Sequence, residues 1–359
     1  MRRSRWILAL SLLVTSGPAV GGWTNDFGRP GPSGEVQTTA EFRGDLYVGG
    51  RFLRCGNAEA HGIARWDGDR WHAVGDANAF DVTDMVVFRN RLWVAGTFYE
   101  GFEARHGMIW DGHEWTPIPS MGDGDGPSRF IVWRGDLYAL GGGVKISTGQ
   151  REGIARLAGD SWVSVGGGLG RERYSPAVHD ATLHEGRLIV GGDFATAGSK
   201  EILGLAAWDG TTWRTVGKPA LGDARSPGIT IRALESLDGR LHATGRFSVD
   251  GHGETYSAVM IDNTWRDESR GPEEWLTELG VVDGTLFGVA GDRVSTSCPR
   301  PTSPKAWRST ICADAACAIS ERSISWLGEA DSTGAPMTIG AEGFHAASTC
   351  SAHGSTARG

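Results

Sequence analysis

One phrase recurs six times and constrains this chain more than any other feature. Its first copy is Leu46-Tyr47-Val48-Gly49-Gly50, followed by Phe52. It returns as Leu92-Trp93-Val94-Ala95-Gly96 with Phe98, Leu137-Tyr138-Ala139-Leu140-Gly141, and Leu188-Ile189-Val190-Gly191-Gly192 with Phe194. The last copies are Leu241-His242-Ala243-Thr244-Gly245 with Phe247, and Leu286-Phe287-Gly288-Val289-Ala290. Successive leucines are 46, 45, 51, 53 and 45 residues apart. A second phrase keeps the same phase: Trp66-Asp67-Gly68-x-x-Trp71, Trp110-Asp111-Gly112-x-x-Trp115 and Trp208-Asp209-Gly210-x-x-Trp213. Degenerate copies are Leu157-Ala158-Gly159-x-x-Trp162 and Ile261-Asp262-Asn263-Thr264-Trp265. The two phrases start 20, 18, 20, 20 and 20 residues apart in the first five copies. A fixed period of this size marks a repeat architecture.

Each unit reads as four short strands, a to d in chain order. Strand a is an alternating segment such as Val82 to Phe88 or Ile231 to Leu237. A tight turn such as Arg43-Gly44-Asp45 leads into strand b, the Leu-containing phrase. Strand c is Gly62 to Trp66 and its equivalents. Asp-Gly then predicts a two-residue hairpin into strand d, because both residues tolerate positive φ. No helical pattern of 10 to 15 residues interrupts this series, so the chain is expected to be all-β. One small four-stranded sheet cannot bury two apolar faces by itself. Sheets packed radially as a propeller bury them against each other and leave only short edges. The repeated Trp and Phe positions are then contacts between sheets.

The Gly-Gly closing strand b and the Trp of strand d resemble kelch-type repeats. The similarity is to the bacterial secreted variety, Leu-Tyr-Val-Gly-Gly-x-Phe … Ile-Ala-x-Trp-Asp-Gly-x-x-Trp, and to repeats of cortical polarity-marker proteins of fungi. It covers about residues 36 to 294. The resemblance implies a kelch-like β-propeller and leaves function open, because one fold hosts many activities. The very short c–d hairpin departs from ordinary kelch repeats, and Trp-Asp-Gly is eroded in the third, fifth and sixth copies. Six four-stranded blades are expected, with seven as the alternative if residues 311 to 345 form a degenerate blade. Closure is expected through Trp23 to Phe27, supplying strand d of the last blade. Trp307 lies 21 residues after Leu286, near the expected strand c of the sixth copy.

The ends differ from the repeat. Arg2, Arg3 and Arg5 precede an apolar run from Ile7 to Val14 and the small residues Ala19-Val20-Gly21. That order is a secretory signal peptide, and its apolar run is too short to span a bilayer. The expected division is a signal peptide at 1–21, a propeller at 22–310 and a tail at 311–359. The tail is rich in Cys, Ser, Thr and Ala and partly disordered. A secreted or periplasmic location permits disulfides. Cys298, Cys312, Cys317 and Cys350 are the candidates, and Cys55 is left over in a loop. The C-x2-C spacing of a zinc site is absent.

The formal net charge is -8 and the basic residues are scattered, which disfavours nucleic acid as a partner. No G-x-S-x-G or H-E-x-x-H motif is present, and Gly166-x-Gly168-x-Gly170 opens no predicted helix. No cofactor is expected. Functional residues concentrate on variable loops held by a rigid scaffold. Here the long b–c and d–a connections emerge together, whereas the a–b and c–d turns are short. On the long loops, Arg171, Arg173 and Tyr174 form the densest polar and aromatic cluster. Asp123 and Asp125 hint at a Ca²⁺ loop without the remaining oxygen ligands. Eight residues before each leucine of strand b stand Thr38, Asp84, Arg129, Asp180, Ala233 and Glu278. If strand a lines the axis, Asp84, Asp180 and Glu278 project towards a central channel.

Two readings follow. The first is an exported, noncatalytic, monomeric propeller that binds a protein or glycan through its long-loop face. The second is a hydrolase or lyase acting on an extracellular polymer, with Asp84, Asp180 and Glu278 as general acid and base. Enzymatic activity is left open, with the noncatalytic reading ahead.

Overall fold

The computed structural model describes residues 31–100, 103–121, 126–170, 175–218, 221, 229–249, 254–268, 276–282, 285–290 and 293–296. The chain divides into two compact units between Cys298 and Pro299, and every described residue belongs to the first. The all-β expectation holds: the described residues form antiparallel strands and contain no helix. The expected signal segment, Trp23 to Phe27, Trp307 and the tail lie outside the described residues.

Five sheets follow one another along the chain, four of four strands and one of five, each containing the order a-b-c-d. The first is Glu35–Phe42, Asp45–Arg51, Ile63–Trp66 and Trp71–Ala73. The second is Ala79–Phe88, Arg91–Glu100, Met108–Trp110 and Trp115–Pro117, with Glu103–Arg105 added beside strand b. The third is Arg129–Trp133, Asp136–Leu140, Ile154–Ala158 and Ser161–Ser164. The fourth is Ala177–His184, Arg187–Asp193, Leu205–Trp208 and Trp213–Thr215. The fifth is Thr230–Leu237, Arg240–Phe247, Thr255–Ile261 and Thr264–Asp267. A sixth sheet has three strands, Glu278–Val282, Thr285–Ala290 and Arg293–Thr296. The strand paired with Thr285–Ala290 is therefore Arg293–Thr296, and not a segment near Trp307 as expected. A two-residue connection reaches it, where other copies spend a long loop.

Local chemistry explains the repeated phrases. The a–b turns place a residue at positive φ before a glycine, as at Arg43 (56°) with Gly44 (88°) and Glu185 (48°) with Gly186 (73°). This handedness matches the twist of the two strands. The c–d turn is not the expected two-residue hairpin in the intact copies. There the last strand pair is Trp to Trp, as in Trp208↔Trp213, with four residues between. Only the glycine takes positive φ, 106° at Gly210. Asp209 instead accepts the backbone N–H groups of Thr211 (2.9 Å) and Thr212 (2.8 Å). Asp67 and Asp111 do the same in their turns. The eroded copies close more tightly, through Ala158↔Ser161 and Ile261↔Thr264, with two residues between.

The paired glycines of strand b answer two contacts. A Cβ on Gly191 would stand 2.5 Å from Ile231 Cγ2 of the following sheet. One on Gly192 would stand 2.0 Å from the Ala177 carbonyl oxygen, where strand a bulges between Val178 and Asp180. Such distances leave no room for a side chain.

The core lies between sheets. Phe42, Tyr47 and Ile63 of the first sheet pack with Val82, Met85 and Leu92 of the second. Phe88 and Trp93 of the second pack with Phe130, Leu137 and Trp162 of the third. The third and fourth sheets share a cluster, and so do the fourth and fifth. The a strands of successive sheets lie side by side from the first to the sixth. In the second to fifth copies the second tryptophan stitches these faces together. Trp115, Trp162, Trp213 and Trp265 donate their indole N–H to the carbonyls of Val74, Pro119, Val165 and Val216, at 2.8 to 3.0 Å. Each acceptor belongs to the segment closing the preceding copy.

The turn aspartates make one prediction. The Arg214 side chain and backbone N–H groups hold the Asp209 carboxyl far below the usual carboxylate range. Backbone N–H groups, of Arg70 and Asp69 and of Glu114 and His113, depress Asp67 and Asp111. A depressed folded pKa contributes stability that is present above the unfolded value of about 4 and is lost as pH falls towards the folded value. Melting temperature is therefore expected to hold from pH 7 to about 4 and then fall. The Asp67→Asn, Asp111→Asn, Asp209→Asn triple variant is expected to melt lower at pH 7 and to lose part of that acid dependence. Thermal melts at each pH check this.

Candidate functional site

Three sites emerge from the residues singled out by position or by geometry. The first is the row across the a strands. Thr38 Oγ1 accepts the N–H of Met85 in the second sheet at 3.2 Å. Asp84 Oδ2 accepts the N–H of Phe130 in the third at 2.7 Å. Asp180 Oδ2 accepts the N–H of Leu234 in the fifth at 2.8 Å. In each case the donor is the residue after the next member of the row. These N–H groups lie on the edge of strand a that faces away from strand b, and they find acceptors on the preceding sheet. Asp84 and Asp180 are buried, as such acceptors must be.

Arg129 occupies the row in the third sheet and donates from Nη1 to Asp180 Oδ1 at 2.7 Å. Burial alone would push its guanidinium down. The carboxylates of Asp180, Asp84, Glu278 and Glu235 outweigh that and hold it above its ordinary value. The carboxylates of Asp84, Asp180 and Glu278 thus all act on one cation of the same row. Glu235, two residues beyond Ala233, was missed; the period of two along a strand is the signal that finds it. Asp180 Oδ1 also accepts the N–H of Ala181 at 2.7 Å, so both its oxygens are engaged. A carboxylate held in this way is suited to joining three sheets and poorly suited to exchanging protons with a substrate.

The second site is a cavity of about 250 Å³ between the second and third sheets, at the end carrying the long connections. Asp81, Thr83, Thr97, Gly126, Ser128 and Gly142 contribute to its lining. Strand a of the second sheet bulges twice, between Ala79 and Asp81 and between Val82 and Asp84. Bulges re-aim side chains; Phe80 and Thr83 are left unpaired, and Asp81 stands between them. Asp81 Oδ2 accepts from Arg51 Nη2 at 2.7 Å. Asp81 Oδ1 and Thr83 Oγ1 are buried, with no hydrogen-bond partner among the described residues. Beside them in sequence, the exposed rings of Phe80 and Tyr99 meet edge to face, with centroids 6.4 Å apart. None of these residues is singled out by the sequence. The doubled bulge that creates the site depends on pairing between strands, which no local pattern records.

The third is a groove of about 580 Å³ at the short-turn end, again between the second and third sheets. It is lined among others by Arg89, Arg91, Trp93, Pro117, Leu157 and Asp160.

Arg171, Arg173, Tyr174, Asp123, Asp125, Cys298, Cys312, Cys317 and Cys350 lie outside the described residues. Among the described residues no group of three or more His, Cys, Asp or Glu side chains is placed to hold a metal. Cys55, expected in a loop, sits in the small hairpin Arg54–Cys55 and Ala58–Glu59 of the first b–c connection. Its thiol is buried, and that burial pushes its pKa up to about 12. At neutral pH it stays protonated and a poor nucleophile.

No family model matches the chain, and no curated protein matches it. Solved structures resemble it loosely. YjhT is 12% identical over 74% of this chain and 95% of its own, with a TM-score of 0.43. The computationally designed Ika8 protein is 14% identical over 75% of this chain and 71% of its own, with a TM-score of 0.43. A Thermus thermophilus protein named as an oxidoreductase (glucose dehydrogenase) is 14% identical over 74% of this chain and 93% of its own, with a TM-score of 0.41.

Proposed function

We propose that this chain is an exported, noncatalytic six-bladed β-propeller that binds a protein or glycan through its long-loop face. The propeller reading is supported by the succession of like sheets, each packed on the next, and by their adjacent a strands. Arg129 supports it further: its Nη1 meets Asp180 of the fourth sheet at 2.7 Å, and carboxylates of the second, fifth and sixth sheets also raise its pKa. Closure by Trp23 to Phe27 and release after export are parts of the same proposal. The binding reading rests on one observation. Asp81 Oδ1 and Thr83 Oγ1 are buried acceptors without partners among the described residues, in a cavity among the long connections. Buried polar atoms without partners are rare, and a ligand offering hydroxyl or amide N–H donors would satisfy both. The exposed Phe80–Tyr99 pair supplies apolar contact beside it.

The test is an array of oligosaccharides and peptides probed with the mature protein and with Thr83→Val and Asp81→Asn. Each variant removes a single acceptor at nearly constant volume. Array ligands held by the wild type are expected to bind each variant about tenfold more weakly, as the loss of one buried hydrogen bond implies. Ligands bound equally by all three proteins would place recognition elsewhere. Turnover of an extracellular polymer that vanishes in Asp180→Asn would favour the hydrolase or lyase reading instead.

A further inference from the structure

The groove at the short-turn end is explained by one eroded copy of the repeat. At the first junction, Arg43 of the a–b turn reaches the next sheet's Asp-Gly turn. Its Nη1 stands 2.2 Å from where a Cβ on Gly112 would be. At the third junction, Arg134 lies over the Trp133 ring at 4.4 Å and donates from Nη1 to the Asp209 carbonyl at 3.0 Å. The facing turns there begin with Trp110 and Trp208, which pack in the same clusters as Tyr47 and Tyr138 of the preceding b strands. Arginine, tyrosine and tryptophan together fill the space between neighbouring sheets.

The second junction lacks this set. Leu157 stands where the three intact copies have tryptophan, and Ala158 where they have aspartate. The turn that follows closes with two residues instead of four. Arg89 lies over the Phe88 ring at 4.8 Å. Neither Arg89 nor Arg91 has a salt-bridge partner among the described residues. Trp93 replaces the tyrosine and is 6% exposed; its indole Nε1, like that of Trp110, has no hydrogen-bond partner among the described residues. The result is the groove of about 580 Å³, within the range of small-ligand sites.

We infer that this groove is a binding site for an acidic saccharide, a sugar chain bearing carboxylate groups. The polar donors of the groove are two guanidinium groups, so the ligand must be rich in acceptors and anionic. Arginine pairs with carboxylate in a two-pronged geometry that a neutral sugar cannot offer. Asp160 on the facing turn requires a donor in return, which a sugar hydroxyl supplies. Pro117, Trp93 and Leu157 give an apolar wall for the ring faces. On a chain of formal net charge -8, such a site draws its anion through local pairing and not through the overall field.

The test is calorimetric titration of the mature protein with trigalacturonate and, as the neutral probe, maltotriose. Trigalacturonate is expected to bind at least tenfold more tightly than maltotriose and to weaken as salt is raised from 50 to 500 mM. Leu157→Trp restores the residue of the intact copies. It is expected to keep or raise the melting temperature and to weaken trigalacturonate at least tenfold by filling the groove. The Arg89→Gln, Arg91→Gln double variant changes no core residue and gives the same loss if Leu157→Trp fails to fold. Trigalacturonate binding that is absent, that matches maltotriose, or that survives the double arginine variant would overturn the assignment.

Discussion

Asp180→Ala is expected to destabilise the protein by about 3–5 kcal/mol, because it strips one partner from a buried ion pair and two backbone donors at once. The side chain of Asp180 is 6% exposed and that of Arg129 is 23% exposed, so Arg129 recovers some hydration and the loss falls towards the lower end. After the substitution, Leu234 N–H loses its acceptor and Arg129 keeps only the carboxylates of Asp84, Glu278 and Glu235 nearby. Arg129→Met in the same background removes the stranded cation. The double variant is expected to be more stable than Asp180→Ala alone, since replacing both members of a buried pair costs less than breaking it. Equilibrium urea unfolding of the wild type, Asp180→Ala, Arg129→Met and the double variant gives the coupling. If Asp180→Ala and wild type have equal midpoints, the row does not hold the a strands together.

The same row shows where sequence reading reaches and where it stops. Fixed spacing before Leu46, Leu92, Leu137, Leu188 and Leu286 is enough to place Thr38, Asp84, Arg129, Asp180 and Glu278 on equivalent strands. It assigns the carboxylates to an open channel and to acid–base chemistry. Their observed engagement depends on the backbone N–H groups of Met85, Phe130 and Leu234, which only sheet packing brings within reach. Amide positions leave no trace in side-chain identity. The all-β class and most strand positions are legible because a period-2 pattern and a glycine-bearing turn are local properties.

The turn aspartates are legible as turn residues, but their mechanism is not. Asp-Gly reads as a pair sharing positive φ, whereas Asp209 acts through its side chain as an acceptor for two N–H groups. Erosion of that phrase at Leu157 is visible in the sequence. Its consequence is not, because the residues it leaves without their usual neighbours, Arg89 and Trp93, lie more than 60 residues earlier in the chain. The cavity beside Asp81 and Thr83 is illegible for a related reason: two bulges within one strand follow from its register against Arg91–Glu100.

Trp162→Ala is the second substitution with a large expected effect. Trp162 is 1% exposed and stands between the second and third sheets. Its ring stacks on Phe130 at 6.3 Å and meets Trp93 edge to face at 6.3 Å, while Nε1 donates to the Pro119 carbonyl at 2.8 Å. Truncation removes those contacts, leaves a cavity and strips a carbonyl of its donor. A buried Trp→Ala change costs about 3–5 kcal/mol. Trp162→Phe keeps most of the apolar contact and loses the hydrogen bond, worth about 1 kcal/mol, so its cost is expected to fall well below that of alanine. Trp115 makes the same stitch to Val74 but is only half-buried. Trp115→Ala is therefore expected to cost less than Trp162→Ala, while Trp265→Ala, at a 2% exposed position bonded to Val216, matches it. Urea unfolding midpoints for the series test the order. Against a typical total of about 5–15 kcal/mol, the two buried truncations take a large share of stability. Equal costs at Trp115 and Trp162 would mean that the stitch, and not the depth of packing, sets the strength of each junction.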